Sequence, residues 1–227
     1  LVESLRDVTD SLAHDLRSPL TRLRSQTAEL ARADLPGPER EEIAARATAE
    51  AEALLATFTE LIEIARAEAG LGRAEFEPVE LGSLLRDAAD LYAPVAAERG
   101  LALEAADGAA EIRGSRQLLA RALSNLVENA LRHAPVGTAV RLESGVEGGR
   151  AVLRVADAGP GIPEPDRARV LGRFVTLDPS RGSGAGLGLA LVAAVARLHG
   201  AELALGDAGP GLVVTLAFPA AQAIRPD

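Results

Sequence analysis

Apolar residues at Leu5, Val8, Leu12, Leu16, Leu20, Leu23 and Leu30 recur mostly three and four positions apart, which predicts an amphipathic helix over residues 1–33. "DLPGPE" at 34–39 interrupts it with proline and glycine. The period resumes at Ile43, Ala47, Ala51, Leu54, Phe58, Leu61, Ile62 and Ala65, predicting a second helix over 39–69. Two long helices joined by so short a loop form an antiparallel hairpin. A lone hairpin cannot bury both apolar stripes, whereas two hairpins paired as a dimeric four-helix bundle do.

The pattern changes across "AGLGRAEFEPVELG", residues 69–82. The hairpin is accordingly assigned to 1–70, a linker to 71–79 and a second domain to 80–222. That domain reads as a helix at 83–98, short strands at 101–105 and 110–113, and a helix at 115–133. Strands follow at 138–146 and 150–157, then a glycine-rich stretch at 157–188, a helix at 186–199, and strands at 201–206 and 211–218. This order predicts an α+β fold in which one mixed sheet carries helices on one face.

Composition narrows the picture. A length of 227 residues suits one or two domains, and with aromatics at 2% the core must be built from Leu, Val, Ile and Ala. The net charge of −9 argues against nucleic acid as a partner, because phosphate neutralisation needs a basic surface. It leaves room for a magnesium-nucleotide site, which needs positive charge only locally. The absence of cysteine removes disulfides and thiolate metal sites. No apolar run approaches the length of a membrane span. A chain that begins at Leu1 and holds no methionine reads as a piece of a longer protein.

Candidate chemistry begins at "SLAHDLRSPLTRLR", residues 11–24. At 100° per residue His14 shares a face with Asp7, Asp10, Arg17, Ser18, Thr21 and Ser25, opposite the leucines, so it points to solvent. An exposed imidazole is neutral for much of the time near pH 7 and is then a nucleophile. Asp15 offers a carboxylate to its other ring N–H, and Pro19 bends the helix and frees the carbonyl of Asp15. Spacing alone serves equally well for a surface histidine beside a tolerated kink.

On the predicted helix 115–133, Asn125, Glu128, Asn129 and Arg132 share about a third of the circumference, opposite Leu119, Leu123, Leu126, Val127 and Ala130. Amide oxygens one turn apart suit Mg²⁺ that is also held by phosphates and water, and Arg132 and His133 lie within reach of a phosphate. A merely solvated face has the same pattern. "LRVADAGPGIP" ends a strand with Asp157, Gly159 and Gly161, a carboxylate for an adenine amine and glycines that let backbone approach a ring, or an ordinary turn. "RFVTLDPSRGSGAGLGLALV" brings Gly184, Gly186 and Gly188 to a helix N-terminus, where amides favour phosphate.

Together these stretches resemble the sensor histidine kinases of two-component systems. "HDLRSPLTRLR" is similar to their H-box, "NLVENALRHA" to the N-box, "DAGPG" to the G1 box, Arg173 and Phe174 to the F-box, and "GAGLGLALV" to the G2 box, all in the family's order. The resemblance implies a dimerisation and phosphotransfer hairpin followed by a Bergerat-type α/β-sandwich, the ATP-binding fold shared with gyrase, MutL-type repair proteins and a heat-shock chaperone. It implies His14 as phosphoacceptor, Asp15 as its general base and Ser18 at the position that orders water for dephosphorylating the partner. Asn129 would be the chief Mg²⁺ ligand, Asn125 the second, and Glu128 a candidate for ordering a metal-bound water. Asp157, Gly159, Gly161, Arg132, His133, Arg173, Phe174, Gly184, Gly186, Leu187 and Gly188 would bind ATP, with residues 175–183 as a lid in which Arg181 could reach phosphate. The implied partners are a second copy of the chain and a response regulator, with no nucleic acid. The implied location is the cytoplasmic portion of a membrane sensor, any anchor lying outside this sequence, or else a fully soluble kinase. P-loop and eukaryotic-kinase signatures are absent. A gyrase-type ATPase lacks the H-box hairpin, and a non-enzymatic dimer scaffold would not need these motifs.

Overall fold

The computed structural model describes residues 20–32, 36–177 and 186–219, so His14, Asp15, Ser18, Arg181 and Gly184 lie outside the described residues. The chain divides into two compact units, 1–61 and 62–227.

In the first unit, helix α1 is described over 20–30 and is followed by α2 (Gly37–Glu68), whose last two turns belong to the second unit. The predicted spacing positions Ile43, Ala47 and Leu54 in the interior. Arg22 Nη2 donates to Glu50 Oε1 at 2.6 Å, tying α1 to α2.

The second unit is the predicted α+β arrangement. Its elements are β1 (Glu77–Glu80), α3 (Leu81–Glu98), β2 (Ala102–Asp107), β3 (Glu111–Gly114), α4 (Arg116–His133), β4 (Ala139–Glu147), β5 (Arg150–Ala156), α5 (Glu164–Arg167), α6 (Gly188–Leu198), β6 (Glu202–Asp207) and β7 (Leu212–Ala217). The main sheet has the order β2-β4-β5-β7-β6. Only the β2–β4 pair is parallel, since β2 reaches its neighbour through β3 and α4 rather than through a hairpin. Alternation along β4 and β7 buries Val140 and Leu142, and Leu212, Val214 and Leu216. Helix α4 packs against both α3 and α6.

One expectation is corrected. The strand predicted at 110–113 does not join the main sheet. It forms β3 of a separate antiparallel pair with β1, in the register Val79↔Ile112. Strand β1 falls mostly in the stretch read as linker, where Pro78 and its own two glutamates, Glu77 and Glu80, conceal it. Proline is tolerated because β1 is an edge strand, and burial of Val79 against Ile112 supplies the packing. The short helix α5 and the helical turn Arg169–Leu171 inside the glycine-rich stretch are likewise absent from the sequence pattern.

Helix ends fix the geometry that follows. Ser115 caps α4, accepting from the Leu118 N–H at 3.4 Å, and Ala134–Pro135 stops it. His199 and Gly200 (φ +64°) close α6.

Candidate nucleotide site

Helix α4 presents its polar stripe because the opposite side is spent on the core: Leu119, Leu123, Leu126, Val127 and Ala130 are all buried. Asn125 Nδ2 donates back to the Arg121 carbonyl at 3.3 Å, which turns its amide oxygen outward. That oxygen lies so close to Gly188 that a Cβ there would stand 3.0 Å from it. The first metal candidate is thus set at the N-terminus of α6, whose leading amides have no side-chain cap. Asn129 is half-buried, and among the described residues nothing hydrogen-bonds its amide. Two asparagine oxygens one turn apart, beside a helix N-terminus, fit a hard cation shared with phosphate. Among the described residues there is no cluster of three or more His, Cys, Asp or Glu that would hold a metal alone.

At the end of β5, Asp157 is 8% exposed. Its Oδ1 accepts from the Gly159 N–H at 2.7 Å and the Leu212 N–H at 3.4 Å. Among the described residues neither bond involves Oδ2, which leaves one oxygen for a ligand. Burial pushes this carboxyl above its ordinary range, against the two backbone N–H groups and the nearby His133. The surrounding glycines are required by close approach. A Cβ on Gly159 would meet the His133 carbonyl at 2.8 Å, and Gly161 adopts φ +71° with the Gly211 carbonyl 3.0 Å from where its Cβ would be. The G1 turn is therefore pressed against the end of α4, bringing Asp157 and His133 together.

Gly186 adopts φ +65°, and a Cβ there would lie 2.7 Å from the backbone of Phe174 and Val175. Phe174 itself holds φ +61°, uncommon for a bulky residue. The F and G2 segments are locked backbone to backbone just before α6. Leu187 is buried, and its carbonyl accepts the Leu191 N–H at 2.8 Å.

The structure therefore brings together Asn125, Asn129, His133, Asp157, Gly159, Gly161, Phe174, Gly186, Leu187 and Gly188. Two predicted residues point elsewhere. The Arg173 guanidinium bonds Glu68, which also takes Arg197 at 3.1 Å. Glu128 lies toward α3 and accepts from the Tyr92 hydroxyl at 2.7 Å. Tyr92 was not singled out by the sequence pattern, although it is the chain's only tyrosine and the only aromatic residue of α3. Arg132 is exposed on the same stripe, one turn beyond Glu128.

Comparison with known proteins decides the family. Residues 114–222 match the model of the histidine kinase-, DNA gyrase B- and HSP90-like ATPases, and residues 4–70 match the His Kinase A phospho-acceptor domain. The chain belongs to the sensor histidine kinases. It is 31% identical over 221 residues to the sensor protein IrlS of Burkholderia pseudomallei, covering 95% of the chain and 47% of the relative. It is 36% identical over 220 residues to the sensor protein DivL of Caulobacter vibrioides, covering 96% and 28%. A crystal structure of full-length ShkA in complex with AMPPNP is 28% identical with a TM-score of 0.70, covering 97% of this chain and 46% of that one. The chain spans about half or less of these relatives' length. The fold of the second unit is accordingly the Bergerat ATPase fold of the histidine kinases.

Proposed function

We propose that this chain is the transmitter of a two-component sensor, which phosphorylates His14 from ATP and passes the phosphoryl group to an aspartate of a response regulator. The hairpin (1–70) is joined through 71–79 to the ATP domain (80–222). The carrying observation is the buried Asp157, one oxygen fixed by two backbone N–H groups and the other left open, at the far end of the same α4 that bears Asn125 and Asn129. This arrangement suits a purine amine at one end and a triphosphate at the other.

Each residue has a role that follows from its place. Asp157 Oδ2 accepts the adenine amine, and Gly159 and Gly161 admit the ring. The bare amides of α6, with Arg132 and His133, orient the phosphates. Asn125 and Asn129 would hold Mg²⁺, which when bound neutralises charge on the triphosphate. The unprotonated ring nitrogen of His14 attacks the γ-phosphorus in line, the bond to the bridging oxygen breaks, and ADP leaves. Asp15 takes the ring proton as general base. Catalysis is then positioning and charge stabilisation. Ser18 holds water for dephosphorylation of the regulator.

Dimerisation through the hairpin is supported by a second apolar stripe on α2. Leu55, Phe58 and Ile62, at helical spacing, are 67%, 45% and 58% exposed. A four-helix bundle of two copies would cover them. Among the described residues no helix is long and apolar enough to cross a membrane.

Equilibrium binding of Mg-ATP tests the site. Asp157→Ala and Asn129→Ala should each weaken binding at least roughly tenfold, the scale of a lost charge-assisted hydrogen bond in a buried site. Normal affinity in both variants would refute the assignment.

A further inference from the structure

Glutamate four residues before arginine on an exposed helix is the favourable order for an ion pair. Glu128 and Arg132 have this spacing on α4, and both line one open cleft of about 240 Å³ with Tyr92, Val95, Arg99 and Leu131. Yet among the described residues the two form no ion pair. The Glu128 carboxylate is instead engaged from across the cleft by the Tyr92 hydroxyl of α3 at 2.7 Å. Tyr92 is half-buried, and Ser124, one turn before Glu128, lies near its hydroxyl. The cleft therefore holds a donor that engages the carboxylate one turn before Arg132.

We infer that Tyr92 is a positioning residue for the nucleotide site: by holding Glu128 against α3 it leaves the Arg132 guanidinium unpaired for the triphosphate. This rests on the nucleotide-site reading above. Phosphate and Glu128 are competing anions for one cation. A glutamate released from Tyr92 needs only a rotamer change to reach Arg132, since side chains four apart on a helix are neighbours. ATP would then have to break that pair before Arg132 could bind it. Arg132 acts on phosphate directly, whereas Tyr92 acts only through Glu128.

The test is a double-substitution cycle on the full chain, read as the Kd of Mg-ATP by calorimetry, with circular dichroism confirming the fold. Tyr92→Phe removes only the hydroxyl and should raise Kd roughly two- to fivefold, the range of one exposed charge pair. The deficit should shrink as salt is raised, because that pair is screened. In a Glu128→Gln background no charge competes for Arg132, so adding Tyr92→Phe should leave Kd where Glu128→Gln alone sets it. A Tyr92→Phe variant binding like the unsubstituted chain overturns the inference. So does an equal deficit in both backgrounds, which would mark Tyr92 as merely structural. Failure of the unsubstituted chain to bind Mg-ATP at all would instead overturn the nucleotide-site reading, and this inference with it.

Discussion

His199 is fully buried, and its two ring nitrogens are both used. Nε2 accepts the Ser115 N–H at 3.0 Å, which requires it to be unprotonated, so the proton sits on Nδ1 and is donated to the Val195 carbonyl at 2.8 Å. The ring stacks on Phe76, centroids 4.6 Å apart, with Phe218 edge-on. One imidazole thus joins the end of α6, the cap of α4 and the segment before β1. Burial holds its pKa below the ordinary 6.5, the Val195 carbonyl opposing and Arg73 adding to the shift. A depressed histidine leaves the folded chain neutral where the unfolded chain takes up a proton. Its contribution is therefore complete above the ordinary pKa and is lost as pH falls below it towards the folded value. The thermal midpoint should drop between pH 7 and pH 5. His199→Gln, which cannot titrate, should be less stable at pH 7.5 by roughly 1–2 kcal/mol from lost hydrogen bonding and give a flatter profile. An unchanged pH slope would contradict this role.

At the scale of elements, the site depends on how closely α4, the G1 turn and the start of α6 approach one another. Gly186 shows how little slack there is. Alanine there would suffer both the left-handed backbone and a Cβ 2.7 Å from the Phe174–Val175 backbone. Gly186→Ala should lower the thermal midpoint and weaken Mg-ATP binding at least roughly tenfold, a loss of about 1.4 kcal/mol or more. Wild-type affinity would mean that the F–G2 lock is dispensable. Much of this was legible in the sequence. The 3.6-residue period marked α2, α3, α4 and α6, and the paired asparagines and clustered glycines marked the candidate site. What stayed hidden was what depends on tertiary partners. Strand β1 shows no alternation of its own and exists through Ile112. Neither the diversion of Arg173 to Glu68 nor that of Glu128 to Tyr92 could be read from spacing, because each partner lies on an element distant in sequence.

For the whole molecule, the exposed Leu55, Phe58 and Ile62 stripe is the feature a monomer does not explain. Phe58→Glu should convert a dimer to a monomer in sedimentation while Mg-ATP binding persists, and a monomeric wild type would remove the bundle from the account. The step on which the proposed function turns is transfer of a phosphoryl group from the ATP domain to the hairpin's histidine. It is tested most directly by incubating the chain with γ-labelled ATP and Mg²⁺ and following acid-labile label on the protein. Label should accumulate on the unsubstituted chain and be absent from His14→Ala, which still binds ATP. Label that persists in His14→Ala, or none on a chain that binds ATP, would contradict it.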